Sequence, residues 1–177
     1  VYAEIELPLI PIIKKAEARG VLVDTVYLKG LAVDYHKKLA ELETKIYKLS
    51  GGEFNLNSPK QLGEVLFDKL ALQMKGLKKT AGGERSTRES ELLKLKDLHP
   101  IIPEILSYRE LQKLLSTYID NLPLLVAADG RLHTKLNQTG ASTGRMSSTQ
   151  PNLQNIPIKD GLGAAIRRGF IAAPGFK

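Results

Sequence analysis

The sequence predicts a mainly α protein with a small α+β part: a helical bundle over residues 1–122, then a short antiparallel β piece. Three observations carry this. Apolar residues recur three and four apart through most of the first 120 positions, the stripe of an amphipathic helix. Capping residues and prolines stand where those stripes begin. Near residue 125 the period shortens to two, beside an Asp129-Gly130 turn signal. The chain has 177 residues, 42% of them apolar, the size of one domain or of one domain plus a piece of another.

Residues 1–18 have helical spacing, with a regular helix starting or kinking near Pro8 or Pro11 and ending at Gly20. Residues 20–24 allow only a brief extended link, and Asp24 is placed to cap a second helix. That second helix is the longest. Leu28, Leu31, Tyr35, Leu39, Leu42, Ile46 and Leu49 form one packing stripe that stops at Gly51-Gly52. Ser58-Pro59-Lys60-Gln61 reads as a capping box opening a helix to about Leu70. Residues 73–86 are glycine-rich and basic, a mobile loop by composition. Ser86 and Glu89 suggest a second capping box and a helix to about Leu98, broken at His99-Pro100. Residues 101–120 are helical again, with Arg109, Gln112, Lys113 and Ser116 three or four apart on one face. Asn121-Leu122-Pro123 closes the helical part. Leu132, Thr134 and Leu136 then alternate with Arg131, His133 and Lys135, and residues 165–172 read as another strand.

Composition removes several function classes. No run of about 18 apolar residues exists, so no membrane-spanning helix or membrane partner is expected. With no cysteine there are no disulfides, thiol nucleophiles or Cys-based zinc sites, and three scattered histidines argue against a His-based one. The absence of cysteine fits a reducing cytoplasm. The first residues carry two acids before any base, the wrong order for a secretory signal. Net charge is +7 and unevenly spread: residues 131–177 hold seven Lys/Arg against one acid, and residues 75–88 hold five against one. Two basic segments beside a near-neutral scaffold point to a polyanion, of which nucleic acid is the usual one.

Residues 131–157, RLHTKLNQTGASTGRMSSTQPNLQNIP, stand apart chemically. Six side-chain amides (Asn137, Gln138, Gln150, Asn152, Gln154, Asn155), a run of Ser and Thr, and Arg145 directly after Gly144 occur with no acid among them. Amides and hydroxyls both donate and accept, so they suit phosphates, sugars and base edges, and an Arg after a Gly can approach a ligand closely. Together with IRRGFIAAPG further on, this stretch resembles the start of the palm in family A DNA polymerases, the bacterial DNA polymerase I type. Met146 stands where that family usually has Leu. FNLNSPKQLGEVLFDKL from Phe54, RSTRESELL from Arg85 and YRELQKLLSTYID from Tyr108 resemble the family's thumb.

The resemblance implies a helical thumb over residues 1–122 and the first part of a palm over residues 123–177. It implies primer-template duplex DNA and the rest of a polymerase chain as partners, a bacterial nucleoid setting, and a parent enzyme active in DNA replication and repair. Expected DNA contacts are Asn55, Asn57, Ser58, Lys78, Lys79, Arg85, Ser86, Thr87, Arg109, Gln112, Lys113 and Ser116 in the thumb. In the palm they are Asn137, Gln138, Arg145, Ser147, Asn152, Gln154, Asn155 and Lys159. Nucleotidyl transfer in the family needs carboxylates holding two metal ions. Asp160 is the only acid after Asp129, the chain stops short of the family's first metal-binding Asp, and no Walker-type loop or Ser/His/Asp set is present. Catalytic residues and metal ligands are therefore expected to be absent here, and magnesium is expected for the complete parent. Two classes of function remain: the DNA-binding segment of a polymerase, inactive alone whether excised or one piece of a split enzyme, or a free-standing nucleic-acid-binding module. Whether the reading frame continues past Lys177 discriminates them.

Overall fold

A computed structural model describes residues 1–157 and 161–176. It is mainly helical, with two two-stranded antiparallel sheets. The chain forms two compact units. One comprises Val1–Asp34 with the chain from Lys113 on, and the other is Tyr35–Gln112.

In the first unit, a π-helical turn at Tyr2–Glu6 runs into α1 (Leu7–Arg19). Pro8 stands where that turn passes into α1, and Pro11 is accommodated inside α1. Gly20 ends α1 at φ 61°, and its N–H bonds to Ala16 O. β1 (Val21–Leu22) comes next, then Asp24, whose carboxylate accepts the Tyr27 N–H at 2.8 Å as the spacing predicts. Beyond residue 113 come a π-helical turn at Leu115–Ile119, the short α6 (Leu122–Leu125), and strands β2 (Arg131–Leu132), β3 (Lys135–Asn137) and β4 (Ser147–Thr149). Ile13, Val23, Leu28, Leu115, Ile119, Leu132 and Ile166 are buried in this unit.

The second unit holds most of α2 (Thr25–Ser50), α3 (Pro59–Gly63) with its π-helical continuation Glu64–Lys69, α4 (Glu89–Leu92), a 3-10 turn Leu93–Leu95, and most of α5 (Ile101–Leu114). Of the predicted α2 stripe, Tyr35, Leu39 and Ile46 are buried here beside Leu62, Leu66, Leu92, Leu95, Ile102 and Ile105. Ser58 caps α3 by accepting the Gln61 N–H, while the Gln61 amide oxygen reaches back to Asn55 N. Residues 78–86 close on themselves through Ser86 N to Lys78 O and Thr80 N to Glu84 O.

Several expectations need correction. The strand over residues 165–172 is instead α7 (Leu162–Arg167), with only Phe170 bridging Val23 and Ile171 N bonding to Leu22 O. Six residues of mixed polarity do not fix a period. Contacts from other elements favour the helix: Tyr27 OH donates to Ala165 O, and the Arg167 guanidinium donates to Pro157 O. The strand over residues 131–136 splits into two because β2 pairs with β1 and β3 with β4. At the break His133 and Thr134 turn their polar atoms to other partners. Asp129-Gly130 makes a tight turn, but the strand beyond it pairs with distant β1. The second capping box does not form. Buried Ser86 accepts the Arg88 N–H, and α4 starts at Glu89 with no side-chain cap, so the helix expected to reach Leu98 lasts one turn plus a 3-10 turn.

Candidate nucleic-acid interface

The amide-rich stretch folds as a two-stranded ribbon. Lys135, Leu136 and Asn137 face Thr149, Ser148 and Ser147 in antiparallel register. In such a ladder alternate residue pairs point their N–H groups outward, and here the outward groups of Leu136 and Ser148 both find side chains. The Glu17 carboxylate accepts Leu136 N–H at 2.7 Å, and the Gln154 amide oxygen accepts Ser148 N–H at 3.2 Å. The Gln154 NH2 donates to Met146 O at 2.8 Å, so its whole amide serves the ribbon. Buried Ser148 is a hub: its hydroxyl lies 2.6 Å from Thr134 Oγ1 and accepts Leu153 N–H. Tyr118 OH donates to Asn155 O, tying the segment after the ribbon to the Leu115–Ile119 turn.

The loop over residues 138–146 hangs from this ribbon. Asn137 opens it by accepting both the N–H and the hydroxyl of Thr139. The Gln138 NH2 donates to Glu6 O and, at 2.7 Å, to the Glu6 carboxylate. A Cβ at Gly140 would lie 2.5 Å from Ser147 Oγ. Gly144 has φ 76°, a left-handed conformation that suits glycine. Arg145 comes next, exposed and without a hydrogen bond or ion pair to any described residue. Ser147 is half-buried and Asn152 exposed, its side-chain Oδ1 accepting Gln154 N–H. Lys113 and Ser116 are exposed, the Ser116 hydroxyl lying 3.5 Å from Lys113 O. Lys159 lies outside the described residues.

His133 anchors the same region to the end of α1. Nδ1 faces Glu17 O at 2.8 Å and Nε2 faces Asp129 Oδ2 at 3.1 Å. Both partners only accept, so the doubly protonated ring satisfies both. The Glu17 carbonyl first, then Asp129, raise the His133 pKa above its ordinary value against partial desolvation and Arg131. At Asp129 partial desolvation is outweighed by hydrogen bonds from Arg131 N–H and His133, and its pKa falls.

In the second unit the expected contacts divide. Asn55, Asn57, Lys78 and Lys79 are exposed, and Ser58 and Gln112 are half-buried. Asn57 donates to Tyr108 OH at 3.4 Å. Burial first, then Glu43, push that phenol up to about 12, so it stays a neutral partner. Arg85 pairs with the Asp68 carboxylate and lies 4.7 Å over the Phe67 ring. Ser86 and Thr87 are only 4% and 6% exposed. Arg109 donates to Thr87 O, and burial lowers its pKa. These last three side chains are thus committed internally. A groove of about 550 Å³ in this unit is lined by Lys60, Lys79 and Arg85 but equally by Glu64, Asp68 and Glu84.

Sequence reasoning missed the acids that build these sites: Glu6, Glu17, Asp68 and Glu91. Glu91 is 3% exposed, accepts Lys78 N–H and the Lys94 ammonium, and has its pKa lowered by Lys94 first and then Lys78. Each partner except Lys94 lies at least 13 positions away, beyond any periodicity signal. Among the described residues no group of three His, Cys, Asp or Glu side chains is arranged to hold a metal ion, and no helix is long and apolar enough to cross a membrane.

Known proteins resemble this chain over nearly its whole length. A model of DNA polymerase family A matches residues 25–177. The chain is 49% identical over 176 residues to the thermostable DNA polymerase I of Thermus aquaticus, covering 99% of this chain and 21% of that protein. It is 50% identical to DNA polymerase I of Deinococcus radiodurans, covering 18% of it. Among solved structures, the POL domain of Pol1 from M. smegmatis in complex with DNA primer-template and dNTP superposes with a TM-score of 0.88 at 40% identity, over 98% of this chain and 30% of that one. The chain spans about a fifth of the length of the curated relatives it matches.

Proposed function

The chain belongs to DNA polymerase family A, and we propose that it is the primer-template-binding segment of a DNA-directed DNA polymerase serving replication and repair in a bacterial cytoplasm. Residues 1–122 act as a helical thumb and residues 123–177 as the first part of a palm. The observation that carries this reading is Arg145: an exposed guanidinium with no partner among the described residues, set after a left-handed glycine in a loop hung from a ribbon whose outward Leu136 and Ser148 N–H groups are satisfied. A similar chain is solved with primer-template DNA.

Arg145 reads the minor-groove edge of the primer-terminal pair, where every base pair offers an acceptor at purine N3 or pyrimidine O2. Such a probe ignores sequence and senses pair shape. Asn137, Gln138, Ser147, Asn152 and Asn155 add neutral hydrogen bonds, while Lys78, Lys79, Lys113 and the Asn55-Asn57-Ser58 turn meet backbone phosphates. Gln154, Ser86, Thr87 and Arg109 act by holding these groups in place. The parent reaction uses magnesium, whose role is to stabilise the attacking and leaving oxygens. Asp160 is the only acid after Asp129, so the chain alone is expected to be inactive.

Titrating the chain with labelled primer-template at several salt concentrations tests the reading. Binding should be independent of sequence and weaken with salt, each neutralised phosphate adding ~0.9 to the slope. In the complete polymerase, Arg145→Ala removes a charged hydrogen bond worth ~1.5–3 kcal/mol, so extension of a matched primer should fall roughly 10- to 150-fold. Mismatched primers, which already misplace the acceptor, should lose less. Equal losses on both termini would remove Arg145 from the readout role.

A further inference from the structure

We propose that Glu17, assisted by Glu6, is a positioning residue for the Arg145 loop, a role that rests on the reading of that loop as a primer-template contact. An isolated two-stranded ribbon is marginally stable in water, and an unpaired edge leaves it free to twist or slip. Here one edge is closed by Gln154 from its own chain segment, and the other by the Glu17 carboxylate on Leu136 N–H at 2.7 Å. Leu136 is the central residue of the three in β3, so that bond holds the strand at its middle. One step further, Gln138 is held by both the carbonyl and the carboxylate of Glu6 at 3.1 and 2.7 Å.

Glu6 and Glu17 are eleven positions apart, about three helical turns, which puts both on one face of the Tyr2–Arg19 helical run. Two carboxylates of that run therefore grip β3 and the first residue of the loop it leads into. Neither acid is a useful DNA ligand, since each would repel a phosphate. Their negative charge is spent on N–H groups, where an ionised acceptor bonds more strongly than a neutral one. Glu17 also fixes the approach to β3, because its carbonyl accepts His133 Nδ1–H. Arg145 itself has no described partner, so its starting position depends on the ribbon's anchorage, and ordering it beforehand lowers the cost of binding.

The test uses the whole 177-residue chain and a labelled primer-template, with Glu17→Ala, Glu17→Gln, Arg145→Ala and the Glu17→Ala/Arg145→Ala double variant. Glu17→Ala should weaken binding roughly 10-fold, the loss of one charged hydrogen bond, even though it removes a charge that repels DNA. Glu17→Gln keeps an acceptor for Leu136 N–H and should recover most of the affinity. The salt slope should not fall in either, since no phosphate contact is lost. Added to Arg145→Ala, Glu17→Ala should cost little more, because the group being positioned is gone. Hydrogen exchange at the Leu136 amide reads the clamp without DNA and should speed up in Glu17→Ala alone among the single variants. Unchanged Leu136 exchange, or an undiminished loss in the Arg145→Ala background, would overturn the positioning role. Faster Leu136 exchange with an Arg145→Ala chain that binds as well as the parent would instead overturn the reading of the loop as a DNA contact.

Discussion

Two glycines show how single positions bear on stability in opposite directions. Gly20 has φ 61°, and a Cβ there would lie 2.7 Å from Leu132 O and 2.9 Å from the His133 ring. Left-handed backbone costs an alanine ~1–2 kcal/mol, and the displaced carbonyl and ring add to that, so Gly20→Ala should destabilise the chain by roughly 2–4 kcal/mol. Gly30 lies inside α2 with nothing within 4 Å of its would-be Cβ. There Gly30→Ala should stabilise by ~0.4–1 kcal/mol through the unfolded state and helix propensity. Urea melts of both variants check the pair, and shifts of the same sign would refute it. Gly20 as a helix terminator was legible in the sequence; its tight fit was not, because Leu132 and His133 approach it from more than 100 positions away. Arg145 was legible for the opposite reason. Its setting is local, a glycine before it and an acid-free run around it.

Among elements, what was legible tracks length. α2 and α5 each carry several turns of apolar repeat, and the predicted stripes supply buried Leu28, Tyr35, Leu39, Ile46, Ile102, Ile105 and Leu111. α4 and α7 are too short to display a period, and their contacts from elsewhere in the chain decide them. The junction of α1 with β2 and β3 is of the second kind, and it makes a prediction about pH. His133 faces Glu17 O and Asp129, with Arg131 acting against it and Lys14 and Lys135 lining the same cavity. Its folded pKa is raised above the ordinary 6.5. Its contribution to stability is therefore complete below that ordinary value and is lost as pH rises through the raised one. Asp129, lowered from 3.8, contributes above its ordinary value and loses its effect as pH falls through the depressed one. Between these limits the junction is tightest. NMR titration of the His133 ring should give a pKa above 6.5, and His133→Gln should flatten the alkaline limb of stability against pH. A ring that titrates below its ordinary value would contradict the double hydrogen bond.

At the scale of the whole molecule, charge count and charge availability differ. The sequence shows +7 and two basic segments, yet several bases are spoken for. Arg85 is paired with Asp68, Lys94 with Glu91, and Arg109 is half-buried on Thr87 O. Lys113, on the same predicted helix face as Arg109, is exposed and has no ion partner among the described residues. The two should therefore respond differently although sequence spacing treats them alike. Lys113→Ala should leave unfolding nearly unchanged and lower the salt slope of primer-template binding by about 0.9, one released counterion. Arg109→Ala strips the donor from a buried carbonyl, so it should cost roughly 1–3 kcal/mol of folding stability. Because its guanidinium is already engaged, the slope should change by much less than one unit. Arg145→Ala completes the contrast, since a base-edge contact gives affinity without a phosphate and should leave the slope nearly as it was. Log–log plots of affinity against salt for the three variants, each paired with a urea melt, separate these roles. A slope that falls equally for Lys113→Ala and Arg109→Ala would mean that the guanidinium leaves Thr87 for a phosphate when DNA binds.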